Sequence, residues 1–156
     1  MQTATVKQLK DELENCSPKQ LLDYCLVLSK FKKENKELLT YLIFESDNEE
    51  GFINGVKSEV EDAFEQINTS SYYYVKKSVR KILRMIKKYI RYSKKKETEI
   101  ELLLHFCQQV KLYKTNITRS PAMKKLYERQ ILSIKRAMAS LHEDLQYDYS
   151  SELEEL

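Results

Sequence analysis

Residues 72–96 read YYYVKKSVRKILRMIKKYIRYSKKK, and this stretch decides the class of fold. Val75, Val79, Ile82, Ile86 and Ile90 recur at steps of three and four, which places them on one stripe of an α-helix. A half-buried strand needs apolar residues at every second position, and the intervening lysines and arginines do not allow that reading. The helix therefore spans about 71–93, with its apolar stripe facing a core.

The neighbouring segments read the same way. Phe52, Val56, Val60, Phe64 and Ile67 form a second stripe just upstream. Downstream, Leu102, Leu103, Leu104, Phe106, Cys107 and Val110 make a helix that is apolar around most of its circumference and is expected to be the most buried. Helix starts are marked by capping boxes, in which a Ser, Thr or Asp accepts a backbone N–H while a Glu or Gln three residues on reaches back. Thr5 with Gln8, Ser17 with Gln20, Asp47 with Glu50 and Thr98 with Glu101 fit that pattern. Ser17-Pro18 and Ser120-Pro121 add proline at a first helical position, and Asn35 offers a cap for a short helix. Together these signals predict seven helices, at 5–15, 18–33, 36–45, 48–68, 71–93, 98–114 and 121–145.

The fold class is thus all-α. Among 156 residues there are only two glycines and two prolines, too few for the many tight turns of an all-β chain. A single domain over 1–145 is expected, built as an antiparallel helical bundle or a short, solenoid-like array of helical hairpins. The array reading rests on an echo between Phe31–Phe44 and Tyr92–Phe106, each running from an aromatic through a basic turn and a cap to an apolar helix ending in Phe. Residues 146–156 are acidic and are expected to be a disordered tail.

Charge is distributed unevenly, although the net value is only +3. Residues 45–71 carry eight acids and one base, Lys57. Residues 72–96 carry eleven bases and no acid, and residues 143–156 carry six acids and no base. Lys77, Arg80, Arg84, Lys87, Lys88 and Arg91, with Lys94, Lys95 and Lys96 at the following turn, form a candidate polyanion-binding surface. Tyr72, Tyr73, Tyr74, Tyr89 and Tyr92 flank it. Basic side chains neutralise phosphates and release counterions, and tyrosine rings stack on bases. Two features could mask this surface: the acidic helix before it, through side-by-side pairing, and the acidic tail, by folding back onto it.

The last helix carries a second candidate surface. Tyr127, Ile131, Ile134, Met138, Leu141 and Leu145 alternate steps of four and three, the spacing of a coiled-coil seam. Such a seam packs inside a bundle or joins a partner helix.

Catalytic and cofactor motifs are absent from this reading. His105 and His142 are the only histidines. Glu101 and His105 lie four apart and lack the second Glu/His helix of a di-iron site. Cys107 is two residues from His105, so their side chains diverge on a helix. Gly51 and Gly55 lie in an acidic stretch and form no phosphate loop; their four-residue step suggests a close helix crossing or a loose helix end. Cys16, Cys25 and Cys107 are odd in number and contain no CxxC pair, so neither a disulfide framework nor a zinc site is expected. No apolar run approaches the ~20 residues of a membrane span. A cytoplasmic location follows, in which the sequons at Asn68 and Asn116 are chance matches. The expectation is a non-enzymatic helical scaffold or protein-interaction module, with a protein partner or self-association, no cofactor, no metal and no small-molecule substrate. The alternative is RNA or DNA binding through 72–96.

Overall fold

The computed structural model describes residues 1–113 and 117–156. All regular structure among the described residues is helical, in eight α-helices. The chain divides into two compact units, Met1–Phe44 and Glu45–Leu156, where the sequence suggested one domain over 1–145.

The first unit holds α1 (Val6–Leu13), α2 (Pro18–Phe31) and α3 (Lys33–Thr40). Both capping boxes expected here are formed. The Thr5 hydroxyl accepts from the Gln8 N–H and the Gln8 side chain accepts from the Thr5 N–H, and Ser17 with Gln20 repeats the exchange. Helix α3 starts at Lys33, ahead of Asn35, because the Asn35 amide donates to the Leu28 carbonyl at 2.8 Å and so braces α3 on α2. A short π-helix over Tyr41–Glu45 follows α3. None of these three helices has a buried residue, although α2 is rich in apolar side chains.

The second unit holds α4 (Glu49–Glu65), α5 (Tyr72–Ser93), α6 (Lys96–Leu112), a 3-10 turn (Ile117–Arg119), α7 (Pro121–Met138) and α8 (Glu143–Glu154). Helix α6 packs against α4, α5, α7 and α8. Its Ile100, Leu102, Leu103, Leu104, Phe106, Cys107 and Val110 are all buried, as a helix apolar all round requires. The stripes read on α4 and α5 face this core: Phe52, Val56, Val60, Phe64 and Ile67 are buried, as are Val75, Val79, Ile82 and Ile86. Ile90 is only half-buried, and Leu83 and Tyr92 join the buried set instead. Phe64 meets Phe106 with ring centroids 6.0 Å apart.

Two caps differ from expectation for identifiable reasons. Helix α4 is capped by Asn48, one residue after Asp47, and the Gly51 N–H donates to Asn48 Oδ1 at 3.0 Å. A Cβ on Gly51 would fall on that amide, so this glycine makes room for the cap; Gly55 faces open space and marks no close crossing. Helix α6 starts at Lys96, ahead of Thr98. Thr98 is fully buried, and its hydroxyl donates to Glu49 Oε1 at 2.5 Å, so a tertiary carboxylate has taken the hydroxyl that a cap would use.

The C-terminal segment departs most from expectation. The helix read at 121–145 ends at Met138, and Leu141 and Leu145 lie beyond it, so the six-residue seam is not one helical face. Ile134 and Met138 are buried, whereas Tyr127, Ile131, Leu141 and Leu145 are half-buried. Residues 146–156 are not an extended tail: α8 covers most of them and packs on α6 and α7. Leu145, Tyr149 and Leu153 recur at four-residue steps, with Tyr149 buried between them. The Tyr149 hydroxyl donates to Glu101 Oε1 at 3.3 Å, and Lys111 Nζ donates to the Glu155 carbonyl at 2.6 Å. Glu143 and Asp144 occupy the first turn of α8, where negative charge opposes the helix dipole favourably. The expected echo between hairpins is not matched in packing, since Phe44 is exposed and Phe106 is fully buried. The residue at 114, read as the end of a helix, and the sequon at Asn116 lie outside the described residues.

One buried polar group stands out. Gln130 on α7 is 2 % exposed; its Nε2 donates to the Leu126 carbonyl at 2.6 Å, and its Oε1 has no partner among the described residues. Leaving an amide oxygen desolvated and unbonded costs about 1–3 kcal/mol. Gln130→Met keeps the volume and removes the oxygen, so it is expected to raise stability by about 1 kcal/mol in urea denaturation. A loss of similar size would mean that Oε1 is bonded after all.

Candidate functional site

Helix α5 carries eight bases and no acid, and α7 carries five bases and one acid, Glu128. An open groove of about 650 Å³ runs between them. Leu83 from α5 and Leu126 from α7 line it together with Tyr73, Lys76, Lys77, Arg80, Arg84 and Lys87, and no carboxylate is in the lining. The α-helical repeat produces this row: steps of three and four from residue 77 to 87 keep the basic side chains on one outer face, adjacent to the buried stripe. At 1.5 Å per residue, residues 76–87 cover ~16 Å of helix axis.

The acidic helix α4 lies beside α5 but engages it elsewhere. Glu59 accepts from the Tyr89 hydroxyl at 2.9 Å. Glu49 accepts from Ser93 at 2.5 Å and pairs with Lys95 at 2.9 Å. Glu61 approaches His105 Nε2 at 3.2 Å. Lys77, Arg80, Arg84 and Lys87 have no ion-pair partner among the described residues. Helix α8 contributes no residue to the groove, so the folded-back tail does not occupy it.

The other expected site residues divide into two groups. Arg91 and Lys94 are exposed outside the groove, and Lys94 takes a left-handed backbone, φ 61°, that turns the chain from α5 to α6. Lys88, Lys95 and Lys96 are engaged: Lys88 lies 4.8 Å from the Tyr89 ring centroid, Lys95 pairs with Glu49, and Lys96 pairs with Glu99 at 2.9 Å. The five flanking tyrosines also separate. Tyr92 is buried, and Tyr89 packs edge-on to Phe52 and Tyr92. Tyr72 donates to the Ile117 carbonyl at 2.5 Å and accepts from the Ser120 N–H at 3.3 Å. Only Tyr73 and Tyr74 keep exposed rings. Three groove residues, Lys76, Leu83 and Leu126, lay outside the sequence reading of the site. Lys76 sits behind the main row, 5.3 Å from the Tyr72 ring centroid. Leu126 comes from a different helix, and no local signal links it to α5.

The residues weighed for chemistry sit differently. Burial lowers the pKa of His105, only partly offset by Glu61, so its ring is neutral at neutral pH. Its contact with Glu61 lacks hydrogen-bond geometry and is not a full ion pair. Burial pushes the Cys107 thiol up to about 12, far from a reactive thiolate at neutral pH. Lys57 and Glu101 form a part-buried ion pair at 2.5 Å, and burial raises the Glu152 pKa, helped by the Glu101 charge. Among the described residues no group of three His, Cys, Asp or Glu side chains is placed to hold a metal ion, and no helix is long and apolar enough to cross a membrane.

No protein-family model matches the chain, and no curated protein or solved structure matches it significantly.

Proposed function

We propose that residues 45–156 are a non-enzymatic helical module that binds an extended polyanion, RNA or DNA, in the groove between α5 and α7. The observation that carries this reading is the set of five basic side chains around one groove with no carboxylate among them. A run of ~16 Å exceeds what a single phosphate needs, so the ligand is a chain of charges. Leu83 and Leu126 in the lining give that ligand an apolar contact as well. In this proposal the unit is an antiparallel bundle about α6, since Lys94 and Lys95 alone join α5 to α6 and so short a link favours antiparallel neighbours. A cytoplasmic setting belongs to it too, as all three cysteines are unpaired. The test is a fluorescence-anisotropy titration of labelled oligonucleotide at low salt. Saturable binding supports the proposal, and its absence ends it.

A second reading, a self-associating interaction module, is favoured by the first unit. Leu21, Tyr24, Leu28 and Phe31 on α2 follow steps of three, four and three, a coiled-coil spacing, and all are exposed. Val6, Leu9 and Leu13 on α1 are exposed too. These seven exposed apolar side chains leave an open apolar surface on the first unit, of the kind that marks an interaction site. The occupant argued here is a second copy of this unit. Its seven bases and six acids nearly cancel, so two copies approach without net repulsion. Light scattering at tens of micromolar should give a dimer, and Leu28→Asp a monomer of unchanged helix content. A monomeric wild-type chain would remove this reading.

A further inference from the structure

We infer that the groove takes single-stranded nucleic acid, with Tyr73 as the platform on which a base stacks; this rests on the polyanion reading of the same groove. The charges alone do not distinguish a single strand from a duplex, because both present phosphates. The uncharged part of the groove does. A duplex keeps its bases stacked inside and offers an aromatic side chain on this face only sugar and phosphate. A single strand exposes base faces that stack on aromatic rings without regard to sequence.

Tyr73 is placed for that role. It lines the groove, 64 % exposed, together with basic side chains that would hold the backbone. Tyr74 meets its ring edge-on, with centroids 5.5 Å apart and planes at 73°, which orients the Tyr73 ring and leaves it open to a ligand. The start of α5 beneath them is anchored, since Tyr72 is bonded to both Ile117 and Ser120. The ring is therefore mounted on a fixed helix start, which lowers the ordering cost of stacking. Tyr89 and Tyr92 are already committed to packing within the fold and play no part. The apolar side chains of Leu83 and Leu126 in the lining suit an unstacked base or ribose better than a phosphate.

The experiment compares three probes of about 12 nucleotides, within the ~4–16 nucleotides of single-strand sites. They are mixed-sequence single-stranded DNA, the duplex of the same sequence, and a single strand of abasic sugar-phosphate. Each is titrated onto the full chain, onto Tyr73→Ala and onto Tyr73→Phe. The base-bearing strand is expected to bind roughly tenfold tighter than the abasic strand. Tyr73→Ala should remove that gap without changing abasic binding, and Tyr73→Phe should keep it. Equal affinity for the base-bearing and abasic strands, preference for the duplex, or a gap that survives Tyr73→Ala overturns the stacking inference while leaving polyanion binding in place. Failure of every probe to bind at low salt overturns both.

Discussion

Replacing Arg80 and Arg84 with glutamate is expected to weaken oligonucleotide binding about 100-fold at 0.05 M salt while leaving the fold intact. Five groove contacts to a single strand give a salt slope of about −3.5, and three contacts give about −2. At 0.05 M salt that difference alone is roughly 70-fold, and repulsion by the two new carboxylates adds to it. Both arginines are exposed and have no ion-pair partner among the described residues, so stability should change by no more than ~0.5 kcal/mol. Lys7→Glu with Lys19→Glu makes the same change in net charge on the first unit. If that control weakens binding as much, overall charge rather than the groove is responsible. Circular dichroism verifies the fold of each variant, and anisotropy reads the affinity.

Phe106→Ala tests the framework that carries the groove. Phe106 is fully buried on α6 and tilts against Phe64 of α4, and α6 also touches α5 and α7, the two helices that supply the groove lining. Deleting a buried phenyl removes its transfer energy and leaves a cavity, at a cost of about 3–5 kcal/mol. Against a typical total of about 5–15 kcal/mol, that is a large fraction of the stability. Urea denaturation should show a lower midpoint with an unchanged slope. A cost below ~1 kcal/mol would mean that this ring does not fill a close-packed interior. The two double or single substitutions thus separate the groove's charge from the scaffold's packing: the first changes binding alone, the second stability first.

The parts of the fold that were legible in the sequence are those set by local chemistry. Thr5 with Gln8 and Ser17 with Gln20 form their capping boxes because both partners lie within one helical turn. The stripes of α4 and α5 were legible because 3.6-residue periodicity and burial act through the same side chains. Thr98 carried an equally good local signal and was overridden, because Glu49, distant in sequence, reaches its hydroxyl. Helix α8 was hidden by its charge: five acids over Glu143–Glu154 read as a solvated tail, yet the helix packs on α6 and α7 with Tyr149 buried. The break after Met138 was hidden because apolar spacing continued across it to Leu141, in the turn, and Leu145, in α8.

The candidate site was half legible. The row Lys77, Arg80, Arg84, Lys87 follows from the period of one helix, and no α4 carboxylate lines the groove, while Glu49, Glu59 and Glu61 engage Lys95, Tyr89 and His105. That outcome depends on which residues face one another across two helices, which no single stretch of sequence encodes. The contribution of α7 to the groove, and the withdrawal of Tyr72, Tyr89 and Tyr92 from it, are tertiary facts of the same kind.

The most direct test of the groove as a polyanion site is the dependence of single-strand affinity on salt, measured by anisotropy between 0.05 and 0.2 M. Five contacts predict a straight line of log affinity against log salt with slope about −3.5, a loss of roughly 100-fold across that range. Binding that is absent at 0.05 M, or that holds its affinity at 0.2 M, would contradict the account.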